Sequence, residues 1–144
     1  MFTQARRAFT LVEILIVVVI LGILAAIVVP QFVGAAEEAA MTTARSELEK
    51  LRRAVEVFQV RNENTLPTVT AGEGTWGELV APGGEYLKEA PANPYVGGTN
   101  AKVVVIGAGP DAGYQTAHAW IFDNTTGQVW AGGFDGNDEP LPRN

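Results

Sequence analysis

The sequence predicts an α+β protein in which one long N-terminal α-helix, apolar in its first half and amphipathic in its second, packs on a small C-terminal antiparallel β-sheet. Three observations predict it. The 21 residues from Phe9 to Val29 are apolar apart from a few small or hydroxyl side chains, and Glu13 is the only charged one among them. Beyond that run, apolar residues recur every three or four positions as far as Phe58. The last third holds short β-branched and aromatic runs bounded by glycine, asparagine and proline.

The first element has the length of a membrane span. At about 1.5 Å per residue, a helix over Phe9 to Val29 covers roughly 32 Å, against about 30 Å for a bilayer core. A secretory signal peptide has an apolar stretch of only about 7–15 residues before its cleavage site. Ala25-Ala26 imitates such a site, but this run is too long and Glu13 interrupts it. Arg6 and Arg7 precede the span and hold the N-terminal side in the cytoplasm by the positive-inside bias, which puts the remainder of the chain across the membrane. A plain anchor accounts for length, flanking charge and orientation. It does not account for Glu13, because a carboxylate in lipid is costly without a partner.

After Pro30, residues 31–64 read as the amphipathic half of the helix. Ala40, Ala44, Leu48, Leu51, Val55 and Phe58 share one face, and the pairs Glu49 with Arg53 and Arg52 with Glu56 stand one turn apart on the exposed side. The stripe is expected to pack against a sheet. The helix should stop near Asn62 to Asn64, where Leu66-Pro67-Thr68 turns the chain away. Residues 65–144 then form the head. It is loop-rich from 69 to 102, with a short helix over Thr75 to Val80, and strands are expected over Lys102 to Ile106, Thr116 to Phe122 and Gln128 to Trp130. Asp123-Asn124-Thr125-Thr126-Gly127 is the hairpin loop between the last two, and Trp120, Phe122 and Trp130 supply the sheet with aromatic bulk.

Composition narrows the function. With 144 residues, 47% hydrophobic and 18% charged, the chain holds one modest globular domain beside the apolar run. All but one of the 16 acids and all but two of the 10 bases lie beyond residue 30, giving that part a net charge of −7. Such a surface repels phosphates, so nucleic-acid binding is not expected. The absence of cysteine excludes disulfides, thiolate catalysis and cysteine-based zinc sites. Val103 to Gly113 imitates a dinucleotide fingerprint, but its third glycine comes one position late and a strand, not a helix, is expected after it, so it reads as a turn. His118 is the only histidine and has no second ligand at metal spacing. No serine or threonine has an activating arrangement, and an enzyme is not expected. Asn124-Thr125-Thr126 matches a glycosylation sequon, for which its turn role suffices. Phe134-Asp135-Gly136-Asn137-Asp138-Glu139 clusters oxygen ligands beside a glycine. It reads either as a calcium loop using Asp135, Asn137 and Asp138 or as a solvated acidic tail.

Arg6-Arg7-Ala8-Phe9-Thr10-Leu11-Val12-Glu13 resembles the class III signal of type IV pilins and type II secretion pseudopilins. The resemblance implies a pilin fold and a leader, residues 1–8, that a prepilin peptidase removes between Ala8 and Phe9 before methylating the new N-terminus. Ala8 stands where the family usually has glycine. Cleavage would create an amino group at Phe9, mostly protonated at neutral pH, as a partner for Glu13. That partner lies within the same helix or, as the family implies, on a neighbouring subunit, where the pair sets the register of a filament. Gly22 and Pro30 fall where the family places them, and the stretch between them is expected to be a soft section of the assembly helix over residues 9–30; Pro30 otherwise marks where the helix leaves the bilayer. Asn62 to Thr68 and Tyr86 to Tyr95, with Pro91 and Pro94, resemble segments of the major pseudopilins. The implied partners are identical and related pilin subunits, the prepilin peptidase and an inner-membrane assembly platform. The implied function is a subunit of the secretion pseudopilus, which pushes folded proteins out through the secretion channel. A type IV pilin for adhesion, motility or DNA uptake and a single-span anchored binding module are the alternatives. Calcium binding in a C-terminal loop is a further property the resemblance implies, although the family's glycine and aspartate pattern is not matched there residue by residue.

Overall fold

The computed structural model describes residues 10–80 and 83–143. The chain falls into two compact units divided after Ala36. A single helix, α1, runs over Leu11–Arg61 and enters both.

In the first unit the helix is a cylinder of apolar side chains. From Leu11 to Val33 its large hydrophobic residues are between 42% and 82% exposed, so nothing within the unit covers them. By length and composition this helix can cross a membrane. The helix continues through Pro30. Proline has no N–H to donate to the carbonyl four residues back, that of Ala26, so one helical bond is missing there.

In the second unit α1 becomes one-sided, as its periodicity predicts. Ala44, Leu48, Leu51, Ala54, Val55 and Phe58 are buried, while Ala40 is only half-buried. They join Trp76, Leu79, Val104, Trp120, Phe122, Val129 and Phe134 in one apolar cluster. Trp76 and Phe122 meet edge to face, their ring centres 6.1 Å apart. The helix ends where its last carbonyls can be satisfied without continuing it. The N–H of Asn62 donates to the carbonyl of Phe58 (3.0 Å) and that of Asn64 to Gln59 (2.8 Å), and Glu63 and Asn64 take positive φ of 53° and 63°.

Four short strands form one sheet in the order β1-β2-β3-β4: Gly72–Glu73, Val103–Ile106, Trp120–Phe122 and Val129–Ala131. β1 pairs with β2 and β3 with β4 in antiparallel fashion, but β2 and β3 are parallel, Val104 opposite Trp120 and Ile106 opposite Phe122. The sheet is therefore mixed, which corrects the all-antiparallel expectation. The reason is the thirteen-residue connection from Ile106 to Trp120, long enough to carry the chain back to the start of β2. The connection also shortens the strand expected from Thr116. The Gln115 side-chain oxygen accepts the N–H groups of Ala117 (2.6 Å) and His118 (3.1 Å), which holds that backbone in a turn. Of the three aromatic residues expected in the sheet, Trp120 and Phe122 are fully buried and Trp130 only half. The helix expected over Thr75 to Val80 is a single 3-10 turn over Gly77–Val80.

The loop between β1 and β2 is organised by one buried amide. Asn93 donates from Nδ2 to the carbonyls of Ala119 (3.0 Å) and Gly132 (2.9 Å), and its Oδ1 accepts from the backbone of Tyr95 (2.9 Å) and Val96 (3.3 Å). Its own N–H donates to Ala101 (2.7 Å). The side chain thus ties the double-proline loop to the residues just before β3 and just after β4. Replacing Asn93 by Ala removes four buried hydrogen bonds and leaves the carbonyl of Gly132 and the N–H groups of Tyr95 and Val96 without these partners, while the carbonyl of Ala119 keeps the N–H of Gly132. At about 1 kcal/mol or more for each unmade bond, Asn93→Ala should destabilise the head by about 3 kcal/mol or more, read as a lowered urea midpoint at unchanged slope.

Candidate functional site

Two places carry the residues singled out in the sequence: the start of α1 and the C-terminal loop. Ala8 and Phe9, the expected processing site, lie outside the described residues. Thr10 and Glu13 close the N-terminus of α1 reciprocally. The N–H and the hydroxyl of Thr10 both donate to Glu13 Oε2 at 2.8 Å, and the N–H of Glu13 donates to Thr10 Oγ1 at 3.2 Å. This is a capping box, which satisfies N–H groups that the first turn of a helix otherwise leaves free. The Thr-x-x-Glu spacing of Thr10-Leu11-Val12-Glu13 is its sequence signal, and reading Glu13 only as an ion-pair partner misses it. The cap supplies hydrogen bonds to the carboxylate but no positive charge. Around Gly22 nothing lies within 4 Å of where a Cβ would stand, so the chain's own packing does not require glycine there.

The C-terminal loop is a tight turn between Phe134 and Pro140, which face each other in an antiparallel bridge. Asp135 organises it from within: its Oδ1 accepts the N–H of Asn137 (2.8 Å) and of Glu139 (2.9 Å), and its own N–H donates to the carbonyl of Glu139 (2.9 Å). Asp138 sits at positive φ, 60°, a conformation that aspartate tolerates better than most residues. From α1, Arg52 grips the Asp138 carboxylate with both arms of its guanidinium, Nη1 to Oδ2 at 2.5 Å and Nη2 to Oδ1 at 2.9 Å, while its Nε donates to the carbonyl of Val129 in β4 at 3.1 Å. Arg45 donates from Nε to the carbonyl of Asp138 (2.9 Å) and from Nη2 to Glu139 Oε2 (2.7 Å). Arg52 therefore does not pair with Glu56 one turn on, as the helix spacing suggested. A bidentate carboxylate and a strand carbonyl together outcompete one exposed i,i+4 contact. The Glu49 pair with Arg53 is likewise absent among the described ion pairs.

Asp135, Asn137 and Asp138 are brought into one loop, yet not into one ligand sphere. A calcium ion takes about 6–8 oxygens at 2.3–2.6 Å. Here Asp135 Oδ1 is engaged by two N–H groups, both Asp138 oxygens by Arg52, and Asn137 contributes its backbone to the turn. Among the described residues no three acidic or histidine side chains are grouped to hold a metal. As arranged, the donor set does not fit calcium.

His118 and the glycine-rich stretch serve the connection between β2 and β3. His118 Nε2 lies 3.1 Å from Asp111 Oδ1, and Asp111 Oδ2 accepts from Gln115 Nε2 (2.7 Å) and from the N–H of Gly133 (2.9 Å). No helix follows Gly113, so the segment is the turn its sequence suggested. The last residues are tied down as well: Tyr95 donates its hydroxyl to the carbonyl of Leu141 (2.6 Å), and the guanidinium of Arg143 lies 4.4 Å from the Tyr95 ring centre.

Residues 3–29 match the family described as the prokaryotic N-terminal methylation motif. The chain is similar to type II secretion system core protein G of Escherichia coli (strain K12), with 30% identity over 131 residues that cover 76% of this chain and 85% of the relative. It is similar to core protein G of Klebsiella pneumoniae, 31% identical over 122 residues, 75% of this chain and 87% of that one. The core protein G of Aeromonas hydrophila is 36% identical over 102 residues, 64% and 71% of the two chains. No solved structure matches the chain significantly.

Two loop carboxylates carry a pH prediction. Asp135 is held below the usual aspartate range, first by the N–H of Glu139 and then by that of Asn137. Asp123, in the hairpin loop between β3 and β4, is lowered first by the N–H of Thr125 and then by the hydroxyl of Thr126. Groups whose folded pKa is depressed add stability above the unfolded value, about 3.9 for aspartate, and lose it as the pH falls through the lower folded value. The thermal midpoint of the head should hold from neutral pH to about pH 4 and drop below it. The double variant Asp123→Ala, Asp135→Ala should start lower and drop less steeply.

Proposed function

Because the chain belongs to the type II secretion system core protein G family, we propose that it builds a secretion pseudopilus by packing its apolar helix among copies of itself while the acidic head faces outward. It is a structural subunit of a pilin-like filament, anchored by its N-terminal helix, and not an enzyme. The observation that carries the reading is the contrast within α1. The face from Ala44 to Phe58 is covered by the head, whereas the surface from Leu11 to Val33 is covered by nothing in its own unit. Lipid before assembly and other subunits after it are the two surroundings that suit such a surface.

The leader is removed between Ala8 and Phe9 and the new N-terminus is methylated, which is what the match over residues 3–29 supports. Orientation follows from Arg6 and Arg7: the N-terminus in the cytoplasm, the head in the periplasm. The prepilin peptidase and an inner-membrane assembly platform are the partners this route requires. The cap from Thr10 gives the Glu13 carboxylate hydrogen bonds but no counter-charge, and the amino group of Phe9, in the same or a neighbouring subunit, is the cation that neutralises it. Growth of the filament then displaces folded cargo through the outer membrane.

Protein recovered from membranes of cells with a prepilin peptidase should have the intact mass of a chain that begins at N-methylated Phe9. Glu13→Ala should leave the head's thermal midpoint unchanged and reduce filament yield at least tenfold, the effect of removing about 1.4 kcal/mol from each subunit contact. A chain that retains Met1 and tolerates Glu13→Ala would instead be a single-span anchor bearing a binding module.

A further inference from the structure

We propose that Arg52, assisted by Arg45, is the built-in cation of the C-terminal loop, so that the head closes this loop without calcium. The inference concerns the head alone and stands whether or not the filament reading holds.

The loop from Asp135 to Glu139 concentrates three carboxylates within five residues and contains a non-glycine residue, Asp138, at positive φ. Both features oppose closure: like charges repel, and the left-handed conformation is strained for a residue with a Cβ. Something positive must hold the turn, and two guanidinium groups are placed to do so. Arg52 uses all three of its nitrogens. Two grip Asp138 and the third grips Val129, so a single side chain joins α1, β4 and the loop. Arg45, two helical turns earlier, takes the carbonyl of that same Asp138 and the carboxylate of Glu139. The residue under backbone strain is thus held by its carboxylate from one arginine and by its carbonyl from the other. A metal ion would have to displace the Arg52 fork to reach Asp138, and the +1 charge left behind would stand beside it.

The geometry of the fork also separates charge from shape. Lysine in place of arginine keeps the charge but has neither the bidentate fit nor a side-chain N–H for Val129 at the same time. Asparagine in place of Asp138 keeps the tolerance for positive φ and loses the charge.

The test uses the full-length chain in detergent micelles, with the head followed by near-ultraviolet circular dichroism on heating. Wild type should melt within about 1 °C of the same temperature in excess chelator and in millimolar calcium, since a ligand that does not bind the folded state cannot stabilise it. Arg52→Gln should lower the midpoint by about 5 °C, and Arg52→Lys by less. Asp138→Asn should lower it by less, because the bond from Arg52 to Val129 survives, and the Arg52→Gln, Asp138→Asn double variant should melt close to Arg52→Gln alone, because the grip on Asp138 is already lost there. If Arg52→Gln does not fold, the same comparison is made with Arg52→Lys and Asp138→Asn. A rise of several degrees on adding calcium to wild type, or additive effects of the Arg52 and Asp138 changes, would overturn the proposal.

Discussion

A sheet whose strands contain two, four, three and three residues has too little surface to enclose a core, and such small sheets need a helix against them to persist. The buried face of α1 between Ala44 and Phe58 meets that need. Leu48, Leu51 and Val55 are buried in one cluster with Trp120, Phe122 and Val129, and the rest of the head is arranged around that cluster. Each fully buried Leu, Val or Phe contributes on the order of 1.5–3 kcal/mol by leaving water. Among the described residues no other element of the head offers a comparable run of buried apolar side chains. The helix is therefore two things at once, one wall of the head's core and, in its first half, a surface that its own unit does not cover.

With so few strand residues, the ladders leave many of the head's polar groups to backbone bonds in turns and loops and to side chains. Asn93 takes four bonds in the interior, Asp123 and Asp135 each cap a turn, Asp111 joins the β2–β3 connection to Gly133, and Gln115 holds Ala117 and His118. This explains why a domain rich in glycine and proline still presents defined loops. It also explains why the acidic residues of the head are not a uniform solvated face: several accept backbone N–H groups and are fixed by them.

What could be read in the sequence and what could not divide along the range of the interaction. The helix, its apolar stripe, its stop near Asn62 and the positions of β2, β3 and β4 follow from periodicity and turn residues, which act over a few positions. The parallel pairing of β2 with β3 does not: the thirteen intervening residues are long enough to return the chain for it, but their local pattern does not show that they do. The same holds at Arg52. Local spacing pairs it with Glu56, but its partner is 86 residues away in sequence and offers two oxygens in the plane of the guanidinium. The methylation motif is legible in the residues from Arg6 to Glu13, while the capping of α1 by Thr10 is written in the same residues and needs a different reading of them.

Glu13 shows how one side chain serves both local and distant demands. Its Oε2 is satisfied by Thr10, which lets the helix begin with its first N–H groups covered and keeps the carboxylate close to the helix N-terminus. A hydrogen-bonded carboxylate in an apolar setting is still a charge, and hydroxyl and amide donors reduce the cost of placing it there without removing it. The residual demand is for a cation, and on the proposed route the amino group that cleavage before Phe9 would create is the one that meets it. The head solves the corresponding problem differently, by carrying its cations, Arg45 and Arg52, on the same helix that builds its core.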